Sequence, residues 1–132
     1  MKINFSSITD HSNETTKLEP IKINFDVETE YNVSIENNET NYIYSFIEPQ
    51  NQIKSYIKIN KNKINIITGD YTLIIVLNEE YINKININNT YFPLISYGTE
   101  IIISENLKTF SYKLYNSTDV LIGTFKITIE NK

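Results

Sequence analysis

The 132 residues contain no cysteine, which excludes a disulfide framework, a thiol nucleophile and a zinc–thiolate centre. Arginine is also absent, so all twelve basic residues are lysine and the fork that reads phosphate or guanine bidentately is missing. Three isolated glycines cannot build a phosphate-cradling loop. A single histidine without cysteine leaves none of the usual transition-metal ligand sets, and no calcium-loop spacing of acids occurs. The longest apolar run, Leu73-Ile74-Ile75-Val76-Leu77, falls far short of the ~20 residues that cross a bilayer. Met1–Ser7 alternates polar and apolar residues and lacks the apolar stretch of a signal peptide. The expectation is a chain with no export signal, transmembrane segment or lipid anchor.

What is present points to one folded domain over residues 1–132. Hydrophobic residues make up 40%, charged residues 21%, and the net charge is −4, ordinary for a globular chain and unfavourable for nucleic-acid binding. Isoleucine occurs 25 times and asparagine 19 times, while alanine never occurs. That bias is the mark of an AT-rich gene, and it weakens any inference from isoleucine or asparagine counts alone.

The dominant period is two. Ile21, Ile23, Phe25 and Val27 alternate with Lys22, Asn24 and Asp26, and the phase resumes at Tyr31, Val33 and Ile35, the pattern of half-buried strands. Similar segments cover Lys2–Ile8, Asn41–Glu48, Ile53–Ile59, Lys63–Ile67, Tyr71–Leu77, Ile82–Ile87, Tyr91–Ser96, Ile101–Ser104, Thr109–Tyr115 and Val120–Glu130. Polar turn residues separate them. About a third of the chain is Ile, Val or Thr, which favours the pleated sheet. Helix is confined to a single candidate turn at Ser104–Thr109. The fold class expected is all-β: an antiparallel β-sandwich of about eight to ten short strands with little or no helix. The polar segment Thr9–Glu19 is either a long loop inside that sandwich or the connector of an N-terminal arm, residues 1–19, whose strand adds to a neighbouring sheet.

Catalytic chemistry is poorly supplied. His11 lies in the polar connector, not in a rigid setting of the kind a triad needs, and the accidental pairs among the sixteen acids, such as Glu28/Glu30 and Glu79/Glu80, lie mostly at expected turns. Lys54, Lys58, Lys61 and Lys63 form a short basic stripe that reads as protection of a strand edge. Six Asn-x-Ser/Thr sequons, at Asn4, Asn13, Asn32, Asn38, Asn88 and Asn116, have no secretory route to act in. No catalytic residue, cofactor or metal is expected. Ten tyrosines are more informative, since tyrosine supplies rigid amphipathic contact area. Tyr31, Tyr44, Tyr71 and Tyr112 fall in core phase. Tyr81, Tyr91 and Tyr97, with the triple isoleucine Ile101, Ile102 and Ile103, form a candidate protein interface.

Gly69-Asp70-Tyr71-Thr72-Leu73 resembles the strand entry of immunoglobulin-like domains, where a tyrosine bonds back to the backbone and pins a corner. The segments Phe110–Tyr115 and Leu121–Ile127 resemble a hairpin of immunoglobulin-like modules in phage virion proteins. The resemblance covers about a third of the chain, and the cysteine pair and core tryptophan of antibody domains are missing. It implies a structural corner at Gly69, Asp70 and Tyr71. It also implies a non-enzymatic virion component of a tailed phage, including crAss-like phages: an auxiliary or decoration protein of capsid or tail. Its partners would be other virion proteins or copies of itself, with no nucleic acid and no membrane. Two other readings stand beside it: an adhesion or carbohydrate-binding module, and a small intracellular inhibitor of a single partner.

Overall fold

The computed structural model describes residues 1–12 and 17–132. Over these residues the chain is all-β, with ten strands and no helix: β1 (Lys2–Asp10), β2 (Ile21–Glu36), β3 (Glu39–Ile47), β4 (Lys54–Ile59), β5 (Lys63–Thr68), β6 (Tyr71–Val76), β7 (Glu80–Ile87), β8 (Thr90–Ile103), β9 (Leu107–Tyr115) and β10 (Leu121–Asn131). No helix is long and apolar enough to cross a membrane among the described residues.

Asparagine does much of the turning. Asn37-Asn38 joins β2 to β3 and Asn88-Asn89 joins β7 to β8, all four with positive φ between 51° and 64°. That is the left-handed pair that a two-residue hairpin turn requires and that asparagine tolerates. Two of the six sequons, Asn38 and Asn88, are these turn residues. The sequon at Asn13 lies outside the described residues, which omit 13–16.

The strands form one sheet in the order β6-β5-β4-β3-β2-β1-β10-β9-β8-β7, every neighbouring pair antiparallel. The sheet curls until its edge strands β6 and β7, consecutive in sequence, lie side by side as a nearly closed barrel. The expected immunoglobulin-like sandwich is not confirmed. A sandwich needs two separate sheets, whereas β1 pairs with β2 on one edge (Ile3 opposite Val27) and with β10 on the other (Ile3 opposite Asn131), welding the two halves together. Period-two patterning is the same for a sandwich and a barrel, because each buries one face. Within this chain β1 is an inner strand with both edges used; part of the Thr9–Glu19 segment, residues 13–16, lies outside the described residues.

Two strand expectations change. Tyr91–Ser96 and Ile101–Ser104 belong to one long strand, β8, which passes through a bulge at Gly98/Glu100. The candidate turn of helix at Ser104–Thr109 is instead the β8–β9 hairpin, closed by Ser104 N–H donating to the Leu107 carbonyl at 2.8 Å.

The barrel is filled at one end and hollow at the other. The filled end, below the β2–β3 and β4–β5 turns, packs Ile3, Tyr44, Ile59, Ile64, Phe110 and Ile129, all 1% exposed or less. Lys108 is enclosed there too, at 0% exposure. Its Nζ donates to the Tyr31 hydroxyl at 3.2 Å and the Glu105 carbonyl at 3.1 Å. It also lies 5.2, 4.6 and 5.7 Å from the ring centres of Tyr31, Tyr42 and Tyr44, a tyrosine cage that partly replaces hydration of the ammonium.

Candidate functional site

At the hollow end, toward the β3–β4, β5–β6 and β7–β8 turns, the interior contains a cavity of about 490 Å³. That is about three times the ~150 Å³ apolar cavity that accepts benzene, and it lies within the range of small-molecule sites. Alternation places the lining: in-phase residues of successive strands reach it from almost every side of the barrel. Phe5, Phe25 and Phe46 form an aromatic cluster with ring centres 5.0 to 6.1 Å apart. Ile57, Ile66, Leu73, Ile85, Leu94 and Ile127 supply most of the remaining wall.

Few polar groups reach this space: Glu48, Ser55, Thr68 and the tyrosines Tyr71 and Tyr112. Glu48 is committed to its own turn, its oxygens accepting the Gln50 and Asn51 N–H groups at 3.2 and 3.4 Å. Tyr112 is 5% exposed, and its ring is stacked on Phe125 at 4.9 Å and 8°. Burial pushes its hydroxyl well above the ordinary value of 10.0, so it is an uncharged donor at neutral pH. Among the described residues no basic side chain lines the cavity.

The wall has a seam. β6 and β7 share no ladder among the described residues; backbone bridges join the walls at the filled end, Val76 with Glu79 and Leu77 with Gly98. Above them the buried Asn83 spans the gap, its Oδ1 accepting from Ile74 N–H at 2.7 Å and its Nδ2 donating to the Ile74 carbonyl at 3.2 Å. Ser96 adds a hydroxyl donor to the same carbonyl at 2.6 Å. Beyond Asn83, Tyr71 and Leu73 of β6 face Ile85 and Ile87 of β7, all four lining the cavity. Tyr71, Ile87 and the neighbouring Phe92 are 50%, 44% and 50% exposed, so the mouth is edged with apolar surface.

The sequence-predicted residues are distributed differently from the expectation. Gly69-Asp70 is the two-residue β5–β6 turn, with Gly69 at φ +57°, the first-position glycine of a type II′ hairpin. Tyr71 is half exposed and has no hydrogen-bond partner among the described residues, so this is a hairpin at the cavity rim and not an immunoglobulin-type corner. The candidate interface splits. Ile101 and Ile103 pack against the core and are unavailable as an outer face, Tyr97 is partly buried, and Tyr81 is 37% exposed. Tyr91 and Ile102 are exposed but stand roughly 35 Å apart along β8 at ~3.3 Å per residue. His11 is tied to the β10 end, Nδ1 3.0 Å from the Ile122 carbonyl and edge-on to Phe125. No group of three metal-binding side chains assembles among the described residues.

The cavity itself escaped the sequence reading. Phe5, Phe25 and Phe46 sit in core phase and give no sign of whether a core is full or hollow. Asn83 was detectable, because it shares the inward phase of Ile85 and Ile87, where a polar side chain needs a partner.

Comparison with known proteins gives two relationships. The structure is similar to the crystal structure of the ywiB protein from Bacillus subtilis, with a TM-score of 0.66 at 14% identity, covering 99% of this chain and 92% of that one; the likeness shows the fold. No family model matches the sequence. An uncharacterized protein of Mycoplasmopsis pulmonis (strain UAB CTIP) is 33% identical over 90 residues, 67% of this chain and 71% of that protein. The chain belongs to the family of that Mycoplasmopsis protein.

Proposed function

We propose that the protein binds a small apolar molecule inside its barrel. The observation that carries this reading is the cavity of about 490 Å³ at one end of a barrel whose other end is tightly filled. Natural cores close-pack and tolerate few voids larger than a water molecule, and hollowing one forfeits the contacts that would stabilise the fold. The concave, largely apolar shape with a few polar groups is that of a small-molecule site. The virion-assembly reading is a separate proposal resting on exposed residues such as Tyr91 and Ile102; the relatives add nothing to it, and the cavity supports binding more directly.

The test is a titration with pyrene, a hydrocarbon whose emission reports local polarity. Saturable one-site binding with the emission of an apolar environment is expected, and it should weaken in Leu73→Trp, whose larger side chain narrows the cavity. Pyrene that keeps its aqueous emission, or binds Leu73→Trp equally well, would overturn the reading.

A further inference from the structure

Tyr112 is a polar residue of the cavity wall whose hydroxyl the hydrogen bonds of the fold do not use among the described residues. Its ring is fixed between Phe125 and Phe110, with centres at 4.9 and 6.2 Å, so the hydroxyl has a set position. It lines the cavity, lies in a residue 5% exposed, and has no hydrogen-bond partner among the described residues. Buried tyrosine hydroxyls ordinarily find one. Ser55, 7% exposed and in the same lining, also has no side-chain partner among the described residues. The cavity therefore presents hydroxyl groups to whatever occupies it.

The charge balance narrows the occupant further. An ionised acid inside would meet no cation, since among the described residues the lining holds no lysine or histidine, and Glu48 would repel it. Burying such a charge unpaired is prohibitive. An ammonium would find one carboxylate, Glu48, whose oxygens already serve the β3–β4 turn. An uncharged oxygen meets neither obstacle and can exchange a hydrogen bond with a hydroxyl.

We propose that the ligand is an uncharged amphiphile, an apolar body carrying one alcohol or carbonyl oxygen, seated with that oxygen against the Tyr112 hydroxyl. This rests on the cavity-binding reading and specifies the class of molecule bound.

The experiment compares decanol, decanoate and decylamine as competitors of pyrene on the intact protein and on Tyr112→Phe. Decanol should bind at least about ten-fold more tightly than either charged analogue. Tyr112→Phe should lose about ten-fold for decanol, a difference of about 1.4 kcal/mol, and several-fold less than that for pyrene, which has no hydrogen-bonding group. Charged analogues that bind as well as decanol would overturn the ligand class on wild-type protein alone. A Tyr112→Phe variant that weakens pyrene and decanol equally, or neither, would overturn the role of Tyr112. Failure of pyrene to bind wild-type protein would overturn the cavity reading as well, so the two failures are told apart.

Discussion

Asn83 pairs with the backbone of Ile74 as if it were a strand. Its Oδ1 accepts the Ile74 N–H at 2.7 Å and its Nδ2 donates to the Ile74 carbonyl at 3.2 Å, two bonds that a neighbouring strand would otherwise supply. Further bonds from Nδ2 to the Leu94 carbonyl and the Ser96 hydroxyl, both 3.1–3.2 Å, lock the amide in place. One side chain thereby closes the barrel where β6 and β7 lack a ladder.

Replacing Asn83 with leucine keeps the branched shape, adds some volume and removes every bond. Leaving buried backbone groups unsatisfied costs about 1–3 kcal/mol each, so Asn83→Leu should destabilise by about 2–3 kcal/mol in urea unfolding. Amide exchange should accelerate at Ile74 before it does at Phe5 in β1, across the barrel. Uniform acceleration would place the loss elsewhere than at the seam.

Gly98 guards the same seam from below. The Asn78 N–H donates to its carbonyl at 2.8 Å, and a Cβ added there would stand 2.7 Å from the Val76 carbonyl oxygen. Backbone cannot retreat as a flexible side chain can. Gly98→Ala should therefore cost about 1–3 kcal/mol, whereas Gly123→Ala, facing side chains at 3.1 and 3.2 Å and backbone, the Asp10 carbonyl, no nearer than 3.3 Å, should cost less. Equal losses in the two variants would count against a seam held by close backbone approach.

Lys108 supports the filled end through its stem as well as its charge. Lys108→Ala should cost about 3 kcal/mol, because it opens a void and leaves the tyrosine cage empty. Lys108→Met, which refills the space and removes a buried charge, should cost less than half as much. Chemical denaturation of both variants checks this; equal losses would mean that the cation, not the packing, is what matters.

Alkali should unfold the barrel through its buried tyrosines. Burial raises Tyr112 and Tyr44 above their ordinary 10.0, with the neighbouring Tyr31 adding to the shift of Tyr44. A raised folded-state value means that the native protein holds these protons more firmly than the unfolded chain does. Their contribution is complete below pH 10 and is lost as pH rises past it. Tyr112→Phe removes one such group and should shift the alkaline unfolding midpoint upward, as followed by tyrosinate absorbance. A downward shift would contradict the sign.

Nearly every strand was legible in the sequence because period-two alternation is a local signal. The β-rich class followed from Ile21–Ile35 and Tyr71–Leu77 without any long-range information. Barrel closure was not legible, since it depends on β1 meeting β10, and nothing local in Lys2–Ile8 encodes Ile3 opposite Asn131. The immunoglobulin resemblance at Gly69–Leu73 misled for a related reason: glycine, a polar residue and tyrosine serve a hairpin turn as well as a corner. Tyr112 was placed in the core from its phase, and buried it is, but only the assembled walls show that it lines a cavity. The sharpest missed signals were Asn83 and Lys108, polar residues in inward phase, where a buried side chain needs a partner.

The most direct test of an interior binding site is methyl NMR of isoleucine-labelled protein titrated with decanol. Binding inside the barrel predicts saturable shifts at Ile57, Ile66, Ile85 and Ile127 with none at the exposed Ile35 and Ile102. Shifts confined to Ile35 and Ile102, or no saturable shift at any of these methyls, would contradict it.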